Sequence, residues 1–550
     1  MNRKIINFIL IIYLVSIFFI SPIIIGMNNQ DSKMFYNFKN NDSTGNTDTD
    51  SWPMFRHDAA NSGHSSCNLS GKNILSWNVK TDIMSSSCPA VVDGMVYVTT
   101  GAWWEGQIHC IDLETGLFLW NYTVNDSVWV SPVVAGDYVY VAARGSNIFC
   151  LNRFTGTKIW ETVINPHLVI FEGSPVLYDG KLYIGCNYNY GDFEFHSRLY
   201  CLDSSDGEIL WYDATEYESY EYSPAVSNGR IYTMATKNKL CCLDAENGNR
   251  IWTLPDYSFY SYPVIINDNI YVKTMQGTVI CVKDGEMQWE YFPVVNHSIT
   301  TSIVANEDNI IFGTGNSKVL ETGRVVCLDS ETGEEKWNYT ARKHHCKYRY
   351  KPSMTSGYVY LLEDHHITSS QDATYICTFD VKTGQRIWSQ ILFTNLNDYV
   401  YGGFAIADDK IIFSSVEHDI ENGEVIGGVY CYDTFVGNFP PSTPSTNYQE
   451  RDNILRLIST DPEENKIRYG ISWDNDQIVD EWTVFCESGE YAHIICNNKK
   501  ESVGVIAEDE HGDQSDWVSQ KSKPHNMQML IMRFIKNPSF QIFQKMMNMG

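Results

Sequence analysis

The stretch CLDSETGEEKW at 327–337 recurs with variations as CIDLETGLFLW ending at Trp120, CLNRFTGTKIW at Trp160, CLDSSDGEILW at Trp211, CLDAENGNRIW at Trp252 and TFDVKTGQRIW at Trp388. A shortened copy, CVKDGEMQW, ends at Trp289, and a last one, CYDTFVGNF, passes Gly437 and meets Pro440 and Pro441 without a tryptophan. From Trp120 to Trp388 successive tryptophans stand 37 to 51 residues apart. A repeat of that length is a supersecondary unit that cannot bury its apolar face alone, so the chain folds as a solenoid or a propeller.

Each period reads as four short strands. After Trp120, SPVVAG, DYVYVAAR, SNIFCLNRFTG and TKIWETVI alternate apolar and polar residues and are divided by Gly-Asp, Gly-Ser and Thr-Gly, giving strands A to D. A tight C-to-D hairpin needs a residue at positive φ, which accounts for Gly116, Gly156, Gly207, Gly248, Gly333 and Gly384. The tryptophan then sits early on strand D, where its ring can be buried against the neighbouring sheet. Eight A-B-C sets begin near Pro89, Pro132, Pro175, Pro224, Pro263, Ser302, Pro352 and Phe404, but only seven D strands follow Gly116. The unmatched strand ILSWNVKTD, with Trp77, stands before the first set and fits the eighth. The expectation is an all-β fold: an eight-bladed β-propeller over 52–439, closed by an N-terminal strand that removes an open sheet edge. Trp77, Trp120, Trp160, Trp211, Trp252, Trp289, Trp337 and Trp388 are its docking residues.

These copies of C-x-D-x-x-T-G-x-x-x-W resemble the tryptophan-docking repeats of the PQQ-like β-propeller family, and the opening WPMFRHDAANSGHS (52–65) is similar to the lead-in of its exported members. The family contains quinoprotein dehydrogenases and a non-catalytic, BamB-like branch. The resemblance implies the ring, and leaves activity open, because the docking motif is kept with and without a cofactor. Departures are the shortened fifth copy, Thr378 at the repeat cysteine position and the tryptophan missing from the eighth. In the quinoprotein branch PQQ is held by calcium-binding carboxylates and often by a vicinal disulfide; Cys241-Cys242 invites that comparison, but within a strand neighbours face opposite sides.

Past the diproline, 440–447 reads as a linker and 448–523 as a small sandwich with strands such as ILRLIS, KIRYGISW and SVGVIAED. This stretch resembles the PKD-like, immunoglobulin-type modules of archaeal surface proteins. Asp474, Asp476 and Asp480 form an acidic turn that is a candidate calcium site, although Gln477 stands where a calcium loop favours Gly. The tail 524–550 is apolar and methionine-rich, and is expected as a short helix or disordered.

The formal net charge of −27 opposes nucleic acid and anionic membranes. MNRK followed by the uncharged run Ile5 to Gly26 makes 1–27 an export signal or an uncleaved membrane anchor, with 28–51 a disordered polar linker, so the rest is expected to be secreted or held at the cell surface. Seven of the fifteen cysteines (Cys110, Cys150, Cys201, Cys242, Cys281, Cys327, Cys431) share one repeat position, which suits small buried hydrophobes better than disulfides.

Function is expected on the face where B-to-C loops and D-to-A connectors emerge, because it carries every long insertion: 101–106, 187–197, 314–324, 363–374 and 417–428. Trp103, Trp104, Tyr188, Tyr190, Tyr217, Tyr220, Tyr257 and Tyr260 are candidate contact residues there, beside acids that accept hydrogen bonds. His344, His345, Cys346, Asp364, His365 and His366 enter the same face in sheet seven and have the chemistry of a zinc or copper site. The favoured function is a monomeric, non-catalytic scaffold that takes no cofactor and binds a protein or a surface polysaccharide. The alternative is a quinone- or metal-dependent enzyme using PQQ, calcium or zinc.

Overall fold

The computed structural model describes residues 51–521, apart from short loop stretches of which the longest are 216–222, 316–322, 435–443 and 473–480, together with 530–532. The segment 1–27, and 28–51 up to residue 50, lie outside the described residues. Every regular element described is a strand.

Eight antiparallel sheets follow one another. Sheet 1 consists of Ala90–Val92, Met95–Ala102, Glu105–Asp112 and Phe118–Val124 in that lateral order. The same A-B-C-D order recurs in sheets 2 to 7, whose A strands are Val133–Ala135, Val176–Tyr178, Ala225–Ser227, Val264–Ile266, Val304–Ala305 and Cys346–Met354. Sheet 8 contains Ala405–Ala407, Lys410–His418 and Val425–Thr434, and its fourth strand is Asn73–Thr81. The A strands link sheet to sheet. The Cys88 N–H donates to Ser131 Oγ at 3.0 Å, the Ser131 N–H to Ser174 Oγ at 3.0 Å and the Ser174 N–H to Ser223 Oγ at 2.7 Å, which joins sheets 1 to 4. Contacts continue along the A strands through sheets 5 to 8, and Ala405–Ala407 returns to Ala90–Val92.

Burial follows this order. Tyr97, Val98, Ile108 and Cys110 on the middle strands of sheet 1 are fully buried between neighbouring sheets, whereas Phe118–Val124 alternates exposed and half-buried positions. The repeat motif explains how strands C and D are joined. The Asp112 carboxylate accepts the Thr115 N–H at 2.8 Å and its hydroxyl at 2.6 Å, and the Gly116 N–H bonds the Asp112 carbonyl at 2.9 Å. Asp329 with Thr332, and Asp380 with Thr383, repeat the arrangement. After the repeat cysteine the ladder shifts register, and the cysteine faces its own tryptophan: Cys110 opposite Trp120, Cys150 opposite Trp160, Cys327 opposite Trp337. In sheet 8 Cys431 faces Trp77, with the shift between Leu75 and Trp77.

Seven of these tryptophans, Trp77 to Trp337, dock on a turn glycine of the next sheet. Gly116 has φ +70°, and a Cβ there would stand 2.8 Å from the Trp77 ring; at Gly384 (φ +71°) it would stand 2.4 Å from Trp337. The indole N–H of Trp77 donates to the Leu113 carbonyl at 2.8 Å, that of Trp120 to Arg153 at 2.8 Å and that of Trp337 to Val381 at 2.7 Å. A strand-B tyrosine completes the unit: Tyr271 tilts against Trp289 with ring centres 5.8 Å apart, and both donate to the Ser330 carbonyl. The shortened copy docks Trp252 on Gly285 instead. Trp388 meets Tyr432 of sheet 8 edge-on at 6.2 Å.

The seven repeat cysteines are buried, unbridged thiols. Burial pushes their thiols up, to about 12 for Cys110, Cys150, Cys281 and Cys327.

Two further four-stranded sheets lie C-terminal. One pairs Ser445–Gln449, Ile454–Ile458, Ala492–Ile495 and Leu530–Met532; the other pairs Glu481–Trp482, Ile467–Ser472, Ser502–Asp509 and Val518–Lys521. Leu455, Leu457, Ile467, Ile471, Ile494 and Val505 form their common core. Part of the tail expected as helix or disorder is therefore a strand: Leu530–Met532 is registered against Ala492–Ile495, whose edge it covers.

Candidate functional site

The two ends of the sheets differ in construction. Six of the eight A-to-B links are two-residue turns, the links of sheets 6 and 7 having three residues, and Asp93-Gly94, Asp179-Gly180 and Asn228-Gly229 have positive φ at both positions, as Asp/Asn-Gly hairpins require. At the other end the B-to-C hairpins extend. In sheet 7 the strands Tyr358–Thr368 and Gln371–Asp380 pair as far as Thr368 opposite Gln371; in sheet 8 pairing reaches His418 opposite Val425, and in sheet 3 Asn189 opposite Phe195. Most of the length expected as loop in 101–106, 187–197, 363–374 and 417–428 is therefore strand. An extending partner satisfies backbone polar groups even where the side chains are Gly, Asn, Asp and His.

Of the candidate contact residues, Trp103, Trp104, Tyr190, Tyr217, Tyr220 and Tyr260 lie outside the described residues, and Tyr188 is placed only as a strand position opposite His196 and Val169. Tyr257 packs against the core between sheets 4 and 5, beside Phe259 and Trp252, and its hydroxyl donates to Glu290 at 3.3 Å. It is half-buried, with one side of its ring on that core.

The histidine cluster is changed in kind. His344 and His345 lie outside the described residues, while Cys346, Asp364, His365 and His366 are strand rather than connector or loop positions. Cys346 is paired with His365 and Lys347 with Asp364, so Asp364 and His365 occupy alternate faces of the ladder. The Asp364 carboxylate accepts the Thr374 hydroxyl at 2.9 Å. Asp474, Asp476 and Asp480 lie outside the described residues. Among the described residues no group of three His, Cys, Asp or Glu is placed to hold a metal ion. Cys241 and Cys242 enter different cores, one with Leu243 and Ile231, the other with Tyr232 and Trp252. They do not offer the vicinal disulfide of a quinone site.

The most elaborate polar construction is one that reading the repeats did not locate. The lead-in at 52–65 runs along the A strands. Trp52 exchanges two backbone hydrogen bonds with Val91; Pro53, Ala59, Ala60, Ser62 and Gly63 accept from Val134, Val226, Ile265, Ala305 and Met354. Sheets 1, 2, 4, 5, 6 and 7 are thereby tied to one segment. Asn61 donates to the Pro224 and Pro263 carbonyls at 3.0 and 3.2 Å. Arg56, 2 % exposed, donates to Asn61, Ser62 and Ile303 carbonyls, and Gly63 leaves room for its guanidinium: a Cβ there would meet Nη2 at 2.6 Å. Lys351, on the A strand of sheet 7, lies over the rings of Phe55 and Tyr262 at 5.2 and 5.6 Å. Burial pushes the Lys351 ammonium down to about 8 and the Arg56 guanidinium down to about 10, and pushes the Cys88 thiol up to about 11. The available signal was the density of polar residues, R-H-D and N-S-G, in a segment that also opens on a buried tryptophan.

Comparison with known proteins settles the family. The family described as outer membrane protein assembly factor BamB matches residues 68–291 and 283–413, more than half of the chain. The chain belongs to the BamB family. Its BamB relatives include those of Moranella endobia, 22 % identical over 272 residues (45 % of this chain, 67 % of that one), and of Yersinia pestis, 22 % identical over 286 residues (46 % and 66 %). The quinohemoprotein alcohol dehydrogenase of Comamonas testosteroni is 24 % identical over 268 residues, 42 % of this chain and 36 % of that enzyme. The chain thus matches about two thirds of the length of these BamB proteins and about a third of the enzyme. Among solved structures, that dehydrogenase superposes with a TM-score of 0.54 at 13 % identity, covering 74 % of this chain and 84 % of the enzyme; a europium-containing methanol dehydrogenase gives 0.56 at 12 % identity, covering 70 % and 98 %. BamB-family repeats and quinoprotein dehydrogenases share the fold.

Proposed function

We propose that this BamB-family chain is a non-catalytic eight-bladed propeller, exported and retained outside the cytoplasm, that binds a protein through the face where its B-to-C hairpins extend. The eight sheets are its blades, Asn73–Thr81 latches the last to the first, and the C-terminal pair of sheets is a PKD-like module. The asymmetry of the two ends carries this reading: turns of two or three residues at one end, and at the other hairpins of up to eleven residues per strand, as in Tyr358–Thr368. Rigid paired arms on a ring present side chains without the entropy cost of ordering a loop. Relatives named as assembly factors support a protein partner over a polysaccharide. The charged N-terminus ahead of Ile5 to Gly26 supports export.

The test is site-specific photocrosslinking in envelope extract, with the probe at Thr368 on a hairpin arm or at Asp93 on a tight turn. A discrete adduct from Thr368 and none from Asp93 is the expected outcome. Equal labelling from both sites removes the face assignment.

A second reading, a quinone-dependent enzyme, is favoured by the likeness to the quinohemoprotein alcohol dehydrogenase. Absorption of the purified protein after incubation with PQQ and calcium separates the two: a stoichiometric bound quinone chromophore selects the enzyme.

A further inference from the structure

The eight D strands are the outer edges of their sheets. An outer edge offers unpaired N–H and C=O groups to any second strand, and charged side chains are one of the devices that blunt it. Seven of the eight contain at least one charged residue, such as Lys80 in sheet 8, Glu161 in sheet 2, Asp213 in sheet 3 and Lys336 in sheet 6. The D strand of sheet 1, Phe118–Val124, reads FLWNYTV and contains none. It also begins on a run of three exposed apolar side chains, Leu117 at 66 %, Phe118 at 45 % and Leu119 at 51 %.

The same strand carries Asn121-Tyr122-Thr123, the Asn-X-Thr pattern of an N-glycan acceptor. Asn121 and Thr123 are both exposed, and a spacing of two puts them on one face of the strand. The Asn121 amide makes no side-chain hydrogen bond among the described residues, so a substituent on Nδ2 breaks none. The two other described acceptor patterns are less suited. Ser127 of Asn125-Asp126-Ser127 is 1 % exposed, which hides its hydroxyl in the folded chain. Sheet 6 repeats Trp-Asn-Tyr-Thr at 337–340, but there Asn338 Nδ2 donates to Glu335 Oε1 at 2.6 Å, and the strand has charges of its own.

We propose that Asn121 is an N-glycosylation site and that its glycan guards the uncharged outer edge of sheet 1. The donor is an oligosaccharide carried on a membrane lipid phosphate. Asn121 Nδ2 forms a bond to the anomeric carbon of the first sugar, and the bond from that carbon to the phosphate oxygen breaks. The lipid phosphate leaves with the electron pair, and Nδ2 gives up one proton. The attached glycan occupies the space that a second strand would need to pair with Phe118–Val124. This inference rests on the export proposed above, because such glycans belong to secreted chains.

The test uses the full chain from the cells that make it naturally, separated into cytosol, envelope and medium, digested and read by peptide mass spectrometry. A glycan mass on Asn121 is expected. Unmodified Asn121 in chain from the envelope or medium overturns the proposal and leaves export standing, whereas unmodified chain found in the cytosol overturns both. Two variants then test the guarding role in the same cells. Asn121→Gln, which cannot carry the glycan, should aggregate several-fold more than the parent at equal concentration. Asn121→Lys supplies a charge in place of the glycan and should return aggregation to the parent's level. Equal aggregation of the parent and Asn121→Gln overturns the guarding role, and so does an Asn121→Lys that aggregates as much as Asn121→Gln.

Discussion

Sheets 1 and 8 bury the same Cys-Trp pair from opposite kinds of connection. In sheet 1 Cys110 and Trp120 are joined by one tight turn, so the pair forms as soon as its hairpin does; in sheet 8 Cys431 meets Trp77 only when the two ends of the repeat region come together. The pairing geometry is nevertheless the same, down to the register shift beside the tryptophan and the indole bond to the next sheet's carbonyl. The local chemistry of the motif is thus indifferent to how the strand arrives, while the stability it confers is not. A local pair holds one hairpin, whereas the distant pair holds the circle.

The largest effect that would break this comparison comes from truncating the closing ring. Trp77→Ala should cost about 3–5 kcal/mol, and amide exchange should accelerate beyond Lys410–His418 and Val425–Thr434 of its own sheet, reaching Met95–Ala102 and Glu105–Asp112 of sheet 1 and the sheets that follow. Trp337→Ala should cost a similar amount while raising exchange mainly in sheets 6 and 7. If both variants loosen only their own sheet, the latch is not what holds the circle.

Next in size is a pair of glycine substitutions. Gly116 and Gly94 both have φ +70°, but a Cβ on Gly116 meets the Trp77 ring at 2.8 Å and one on Gly94 meets nothing within 4 Å. Gly94→Ala should therefore cost about 1 kcal/mol of backbone strain and Gly116→Ala about 3 kcal/mol, measured by urea unfolding. Equal costs would mean that the tryptophan does not bear on the turn.

Acid sharpens the comparison from another side. Sheet 1 carries His109 beside Cys110, where sheets 2, 6 and 8 place Phe149, Val326 and Tyr430. Burial pushes His109 down to about 4, so the folded state holds it neutral while the unfolded chain binds a proton below about pH 6.5. Stability is lost as pH falls through that window, by about 1 kcal/mol at pH 5.5, and His109→Leu should remove this part of the pH dependence. An identical slope in variant and parent would contradict the assignment. The smallest effect concerns the indole N–H. Trp77 donates to Leu113, whereas Nε1 of Trp211 is buried without an acceptor among the described residues. Trp77→Phe should cost about 1 kcal/mol more than Trp211→Phe.

The ring was legible in the sequence because its determinants are local and repeated: an Asp that caps the turn, a Gly that must have positive φ, and a Trp at a fixed distance. Even the exchanged strand could be read, since Trp77 has no turn of its own and the eighth unit has no tryptophan. The extended hairpins were not, because Gly, Asn, Asp and His at 363–374 and 417–428 carry the composition of loops while the neighbouring strand dictates their conformation. The packing of Tyr257 was hidden for a related reason: an aromatic beside acids looks the same whether it only faces solvent or also packs on Phe259. The path of 52–65 left almost no trace, as its bonds run from backbone carbonyls such as Ala59 to distant amides such as Val226.

The segment at 52–65 also sets an order of events. It is synthesised before any sheet, yet its hydrogen-bond partners appear one after another from Val91 to Met354. Until the seventh sheet exists this axle has no complete hub, and a partly made chain keeps its polar spindle hydrated. The axle's hydrogen bonds are therefore completed only when the seventh sheet has been made, although each hairpin before it can pair on its own.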